Sequence, residues 1–411
     1  MMVQRDLSSL ATGRELSLFQ SDINAKRPEI ARIVNGARVL VIGGAGSIGS
    51  ATVREILGFR PAALHVVDQN ENDLAEMIRS LRSSDTLLEI PDLRSLPLDY
   101  GSVQFRAFVR NEGPYDLVLN FAAIKHVRSE KDSYSALQMF DTNIVKQARL
   151  MALLDATGFR GRYFSVSTDK AANPTSFMGA SKRVMEHVMF DAGLASGLGC
   201  TITSARFANV AFSNGSLLQS FENRLKQDQP LAAPMQTRRY FVSLKESGQL
   251  CLLAATTAPH RHIVVPNLDP ETALIDMQQI AEGFLVAKGY APRQYRDEAQ
   301  ACAAVLADKA SGHWPLLLTE LSTSGEKPYE EFVAQGESCI DLGYDALSGV
   351  AYLPLADPRI MTEVMDSMQK VFENAEHAPV SKETLKALIA RAEPAFLQSH
   401  KETGLNLDQR V

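Results

Sequence analysis

The sequence predicts an α/β fold: a doubly wound parallel sheet, then a smaller lobe, with helical extensions at both ends. Three observations carry this expectation. From Arg38 to Val210, short apolar runs alternate with helix-like segments. The runs lack strict apolar–polar alternation, as strands buried on both faces do. A glycine-rich turn follows the first run and opens a helix, and past residue 210 the rhythm loosens.

Taken in order, "LFQSDINAKRPEIARIVNG" places Leu18, Phe19, Ile23, Ile30 and Ile33 at roughly helical spacing. Residues 1–36 are therefore read as a helical extension packed on the main domain, with a membrane-surface or subunit contact as the alternatives. The runs "RVLVIGG", "ALHVVDQ", "LLEIPDL", "DLVLNFAA", "RYFSVST" and "CTITSARFANV" supply the strands of a domain at 37–210. Segments such as "SIGSATVREILG" and "SALQMFDTNIVKQARLMALLDATG" supply its helices. A lobe at 211–345, with some segments returning to the sheet, contains the helical "GSLLQSFENRLKQDQ", "ESGQLCLLAATTA" and "LIDMQQIAEGFLVAKGY" and the strand "HIVVPNL". The Ala-rich, charged residues 291–315 read as helical. Residues 346–411, with the amphipathic "SKETLKALIARAEPAFLQ", read as a C-terminal helical extension.

Composition narrows the function. The 411 residues carry a net charge of -6 and no basic run, which argues against a nucleic-acid partner. Cys200, Cys251, Cys302 and Cys339 show no CxxC spacing and read as reduced thiols, so no metal is expected. The N-terminus lacks a signal-peptide core, and no apolar run approaches the ~20 residues of a spanning helix. A cytoplasmic protein is the expectation.

The glycine turn "VLVIGGAGSIGS" spaces Gly43, Gly46 and Gly49 as GxxGxxG between a strand and a helix. A Cβ there would keep a pyrophosphate from the backbone, and the helix start offers unpaired N–H groups. Ser47 and Ile48 share this turn. The second run ends in Asp68, where a carboxylate holds the adenosine ribose in a Rossmann fold, and Asn70 follows it. A carboxylate repels a 2′-phosphate, so NAD is favoured, although Arg79 and Arg82 leave NADP open. Asp92, in "IPDLRS", is placed after the third strand as an adenine contact, with a turn or helix cap as its alternative.

The stretch "STDKAANPTSFMGASK" (167–182) has the layout of a reductase centre, with Met178 four residues before Lys182 where a Tyr is usual. A thioether cannot exchange a proton. With "DQNENDLAE" (68–76), "NFAAIKHV" (120–127), "RFANV" (206–210), "RRYF" (238–241) and "GEKPYEEF" (325–332) in order, the chain resembles the extended short-chain dehydrogenase/reductases. Within them it is similar to the nucleotide-sugar 4,6-dehydratases acting on N-acetylhexosamines, where Met often replaces that Tyr. The resemblance covers about residues 37–335.

It implies hydride transfer from sugar C4 to the nicotinamide, loss of the C5 proton and C6 hydroxyl as water, and hydride return to C6. Asp169 is then the candidate acid for water departure and Lys170 the base at C5. Thr168 holds the C4 oxygen, Lys182 binds the nicotinamide ribose, and Met178 is a packing surface. The C4 hydroxyl proton goes to Lys182 or to water through Thr168. By the same resemblance Ala122 and Ala123 admit the cofactor, and Lys125 and His126 face cofactor or substrate. Asn209, Ser216 and Arg239 hold the sugar nucleotide, and Glu326 contacts the nucleoside. Thr323 and Asn214 stand where the family often has Arg, which leaves the base open between UDP, the default, and GDP. A 4-epimerase and a non-catalytic dinucleotide binder are the alternatives. Members commonly pair through two long helices, here "SALQMFDTNIVKQARLMALL" and "GASKRVMEHVMFDAGLA", so a homodimer or larger oligomer is expected. His260 and His262, an HxH without a third ligand nearby, read as loop residues.

Overall fold

The computed structural model describes residues 7–83, 91–126, 130, 132–191, 199–320 and 329–400. The buried apolar runs form β1 (Arg38–Ile42), β2 (Ala63–Asp68), β4 (Leu117–Asn120), β5 (Arg162–Val166), β6 (Thr201–Ala205) and β10 (His262–Pro266). With β3 (Asp92–Pro97), β14 (Cys339–Ile340) and β15 (Leu347–Ala351), they make a sheet of nine strands among the described residues. Its order is β14-β15-β10-β6-β5-β4-β1-β2-β3. Of these strands β15 alone runs against the rest; β14 pairs antiparallel with it and so runs with the others. Chain direction across the sheet reverses between β1 and β4, so a crevice opens beyond their carboxyl ends.

Helices cover both faces, because strands apolar on both sides need two covers. One layer holds α2 (Gln20–Val34), α3 (Ser47–Leu57), α4 (Glu71–Arg82) and α10 (Leu244–Thr256). The other holds α5 (Val103–Glu112), α6 (Ser133–Phe140), α7 (Lys146–Ala156) and α8 (Phe177–Phe190), with α14 (Arg359–Asn374), α15 (Lys382–Ala392) and α16 (Phe396–Ser399) outside them. A π-helical stretch, Asp141–Val145, joins α6 to α7. The smaller lobe contains two three-stranded sheets. One is ordered β11-β9-β7, from β7 (Asn209–Val210), β9 (Arg238–Val242) and β11 (Leu274–Asp276). The other is ordered β12-β13-β8, from β8 (Leu231–Pro234), β12 (Ala291–Tyr295) and β13 (His313–Thr319). Around them lie α1 (Ser8–Thr12), α9 (Leu217–Lys226), α11 (Pro270–Ala273), α12 (Met277–Ala287) and α13 (Glu298–Ala310).

Four sequence expectations are corrected. Residues 87–90 of "LLEIPDL" lie outside the described residues, and the described third strand is "DLRSLP", so Asp92 opens β3 instead of following it. Residues 291–315 are a strand, a helix and the start of another strand, because Tyr295 and Trp314 pack inward from parallel neighbours β12 and β13. β15 lies inside the segment assigned to the C-terminal helices and is a strand of the main sheet, where Val350 faces the core. His262 is the first residue of β10 rather than a loop residue.

Candidate active site

Two cavities share Phe121 and Ala123 and together run along the carboxyl edge of the sheet. The one beside β1 and β2 holds about 630 Å³ and is lined by Gly43, Gly46, Asp68, Asp99, Ala122 and Lys146, among others. Gly43 has φ +69°, and a Cβ on it would lie 2.5 Å from the Ala122 nitrogen, so only glycine lets these two strand ends close. Gly46 caps α3 in extended conformation, which leaves the N–H groups of Ser47, Ile48 and Gly49 at a helix start. Asp68 accepts the Ala45 N–H through Oδ2 (3.1 Å) and the Asn70 N–H through Oδ1 (3.0 Å). These features fit a dinucleotide: a glycine cradle for pyrophosphate and a carboxylate for the ribose hydroxyls.

Two expected nucleotide contacts lie elsewhere. Asn70 spends its side chain capping α4, accepting the N–H groups of Asn72 and Asp73, and lines neither cavity. Asp92 sits at the amino end of β3, opposite the crevice, and bonds the buried His65 (2.9 Å) and Arg94 (2.7 Å). Burial pushes the Asp92 carboxyl up, but these partners hold it below its usual range. Asp99, at the carboxyl end of β3, takes the place in the crevice and is paired with Lys146 (2.7 Å).

The second cavity holds about 450 Å³ and collects residues from the segment after β4 and from β5, α8, β7 and β9. Thr168, Asp169 and Lys170 line it as β5 ends, with Met178 and Lys182 on α8 opposite. Asp169 is buried; its Oδ1 accepts the Thr168 hydroxyl (2.8 Å), and Lys170 Nζ lies 3.1 Å from Oδ2. The Lys170 side chain is 39% exposed toward the opening. Gly179 makes this arrangement feasible, since a Cβ there would lie 2.3 Å from the Lys170 carbonyl oxygen. Lys182 is buried, its amine 3.0 Å from the Met185 sulfur, and burial pulls it down to about 8.

Lys125, His126, Ile48, Asn209, Ser216 and Arg239 line the same cavity. Lys125 Nζ donates to the Asn214 carbonyl (2.8 Å), whose N–H reaches Ser47 Oγ (2.8 Å). Burial lowers the Lys125 amine. Ser216 caps α9 through the Gln219 N–H. Glu326 and Thr323 lie outside the described residues.

Three acidic groups escaped the sequence reading. Glu130 accepts the Met178 N–H (2.8 Å), and burial raises its carboxyl. Glu330 accepts Asn209 Nδ2 (2.6 Å) and the Tyr240 N–H (3.1 Å), beside Arg239 Nε (3.5 Å). Burial, with the charge of Asp169, raises the Glu330 carboxyl. Glu330 belongs to the same "GEKPYEEF" motif as Glu326, so the motif was the available signal. Asp99 was signalled by "LPLDYGS", had the strand been set five residues later.

Comparison with known proteins places the polysaccharide biosynthesis protein family on residues 39–347. An uncharacterized membrane protein of Methanocaldococcus jannaschii is 29% identical over 75% of this chain and 84% of its own length. The probable polysaccharide biosynthesis protein EpsC of Bacillus subtilis is 25% identical over 80% of this chain, which spans about half (52%) of that relative. An inverting UDP-N-acetylglucosamine 4,6-dehydratase of Campylobacter jejuni is 27% identical over 57% of this chain and 68% of its own. Among solved structures, a UDP-Glc/GlcNAc 4-epimerase from Campylobacter jejuni superposes with TM-score 0.54 at 16% identity, over 82% of this chain and 99% of that one, a likeness of fold.

Proposed function

The chain belongs to the polysaccharide biosynthesis protein family of extended short-chain dehydrogenase/reductases, and on that premise we propose that it is an NAD-dependent nucleotide-sugar 4,6-dehydratase. Its substrate is a nucleoside-diphospho-N-acetylhexosamine, UDP-N-acetylglucosamine first and its GDP counterpart second. The observation that carries the reading is the Asp169–Lys170 pair beside Met178 and Lys182 in one cavity, with no phenol at the Met178 position.

When bound, NAD supplies the acceptor and later donor of the C4 hydride. Gly43, Gly46, Ser47, Ile48 and Gly49 cradle its pyrophosphate, Asp68 holds the adenosine ribose, and Lys182 the nicotinamide ribose. The repulsion of a 2′-phosphate by Asp68 favours NAD over NADP. The chain's own chemistry lies in the elimination. Carboxylate and ammonium in hydrogen-bond contact can pass a proton between them, giving a carboxylic acid and a free amine. Lys170 then takes the C5 proton while Asp169 gives its proton to the departing C6 oxygen, so both groups regain their starting charge as water leaves. Thr168 and Lys182 serve the C4 oxygen, and Arg239 grips the diphosphate.

Incubating the protein with NAD and a panel of nucleotide N-acetylhexosamines tests the reading. A product lighter by one water is expected from at least one of them, with Asp169→Asn and Lys170→Met inert yet still binding NAD. Unchanged substrate throughout would remove the proposal. A product of unchanged mass with inverted C4 would assign a 4-epimerase instead.

A further inference from the structure

The C-terminal helices lie beyond the family match, which ends at residue 347, and they grip the reaction-centre segment at two places. The first is a hydrophobic and polar clamp on the loop before α8. Phe396 and His400 pack on Phe177 with ring centroids 5.6 and 4.6 Å away. The Ser399 hydroxyl donates to the Pro174 carbonyl (2.8 Å), and His400 Nδ1 to that of Thr175 (3.1 Å). Phe177 is the residue before Met178, so the clamp fixes the start of the helix that carries Met178 and Lys182.

The second is a buried charge chain. Glu393, just after α15, accepts Arg183 Nε (2.9 Å) and lies 2.6 Å from His187 Nε2. Arg183 also meets Glu337 (2.6 Å), Glu337 meets Arg206 (2.6 Å), and Arg206 meets Glu186 (2.6 Å). Glu186 in turn accepts the hydroxyl of Ser167 (2.6 Å), which lines the cavity next to Thr168. An unbroken set of contacts thus runs from the tail to the residue preceding the Thr168–Asp169–Lys170 cluster.

We propose that the C-terminal helices are a positioning element of the reaction centre, and that Glu393 is the positioning residue through which they hold α8. The role in turnover rests on the dehydratase reading; the mechanical coupling does not. Glu393 touches neither cavity, so it acts only through Arg183, His187 and the helix they share.

The test uses the full chain carrying Glu393→Gln, which keeps the shape and removes the charge. Amide exchange across residues 174–182 is expected to quicken about tenfold, and kcat to fall about tenfold with KM within about twofold, since small displacements near reacting groups cost rate rather than affinity. NAD affinity should stay unchanged and Glu393→Asp should recover most of the loss. Arg391→Ala cuts the tail's exposed pair with Glu363 (2.6 Å) and should alter none of these. Exchange at 174–182 equal to wild type in folded Glu393→Gln would overturn the proposal. Should that variant not fold, His400→Ala reads the same coupling, and unchanged exchange of the loop there would overturn it equally. A wild-type chain that turns over no nucleotide sugar would sink the dehydratase reading alone, because the exchange measurement is independent of it.

Discussion

At the residue scale, the site depends on one missing Cβ and one buried amine. Gly179 lies against the Lys170 carbonyl so closely that Gly179→Ala must push the helix start and Lys170 apart. The expected outcome is a loss of dehydration of about 10²-fold with NAD affinity little changed, measured by product mass and cofactor titration. Lys182 shows the opposite balance of function and stability. The unfolded chain holds this proton to about 10.5, and the buried amine releases it near 8. Stability of the wild type therefore rises with pH between those values. Lys182→Met is expected to raise the urea midpoint at pH 7, by on the order of 2–3 kcal/mol in free energy, while turnover collapses. The gain should be full below pH 8 and shrink above it; a midpoint difference independent of pH would contradict the burial argument. Thr168, Asp169, Lys170, Met178 and Lys182 were legible because a strand end and the next helix carry them within sixteen residues. Glu130 and Glu330 were not, since packing alone brings them to Met178 and Asn209 from distant segments.

At the scale of elements, legibility followed burial. β1, β4, β5 and β6 read directly because both their faces are buried, so β-branched and apolar residues run through them without strict polar alternation. β3 misled because it is the sheet edge, pairs only with β2 and is partly exposed along its length, so its strand "DLRSLP" shows no apolar run. The interlocking of α8 with the segments around it was also invisible, since it rests on charges placed in the core. Arg206 is fully buried between Glu186 and Glu337. Burial alone would push these carboxyls up, yet the Arg206 guanidinium holds both below the usual range, Glu337 at about 2. Arg206→Leu leaves two buried carboxylates, Glu186 and Glu337, to share Arg183 alone. The expected cost is about 3–5 kcal/mol of unfolding free energy in a urea titration at pH 7. Because the wild-type Glu337 carboxyl stays ionised down to about 2 while the variant's loses one of the guanidinium groups that hold it down, the penalty should ease as pH falls from 4.5 toward 2; a variant within 1 kcal/mol of wild type at pH 7 would show that the cluster is solvated.

For the whole molecule, the question is which surface remains for another copy of the chain. The resemblance placed subunit pairing on the helices now seen as α6 to α8. All fourteen residues of α8 are buried, and α15 of the chain's own tail lies against it; Leu385, Ile389, Ala392 and Phe396, with Met361, Val364 and Met368 of α14 packed on α15, belong to the same apolar core. Each of these is at most 3% exposed. Detaching the tail would return these seven apolar side chains to water, a cost on the order of 10 kcal/mol at about 1.5 kcal/mol each, the low end for a buried apolar side chain. A second copy seated on α8 would have to offset that before gaining any affinity, which corresponds to about seven powers of ten in the dissociation constant. On the pairing that the resemblance implies, a partner's helices would meet the tail rather than α8, so self-association, where it occurs, is expected on a different face. Chemical cross-linking of the full chain at low micromolar concentration checks this. Intermolecular links are expected to be absent from α7 and α8, and any that form should map to other surfaces. Links joining α8 of one copy to α8 of another, in a chain whose tail is intact, would mean that the tail swings away in solution and that the brace on Phe177 is not held.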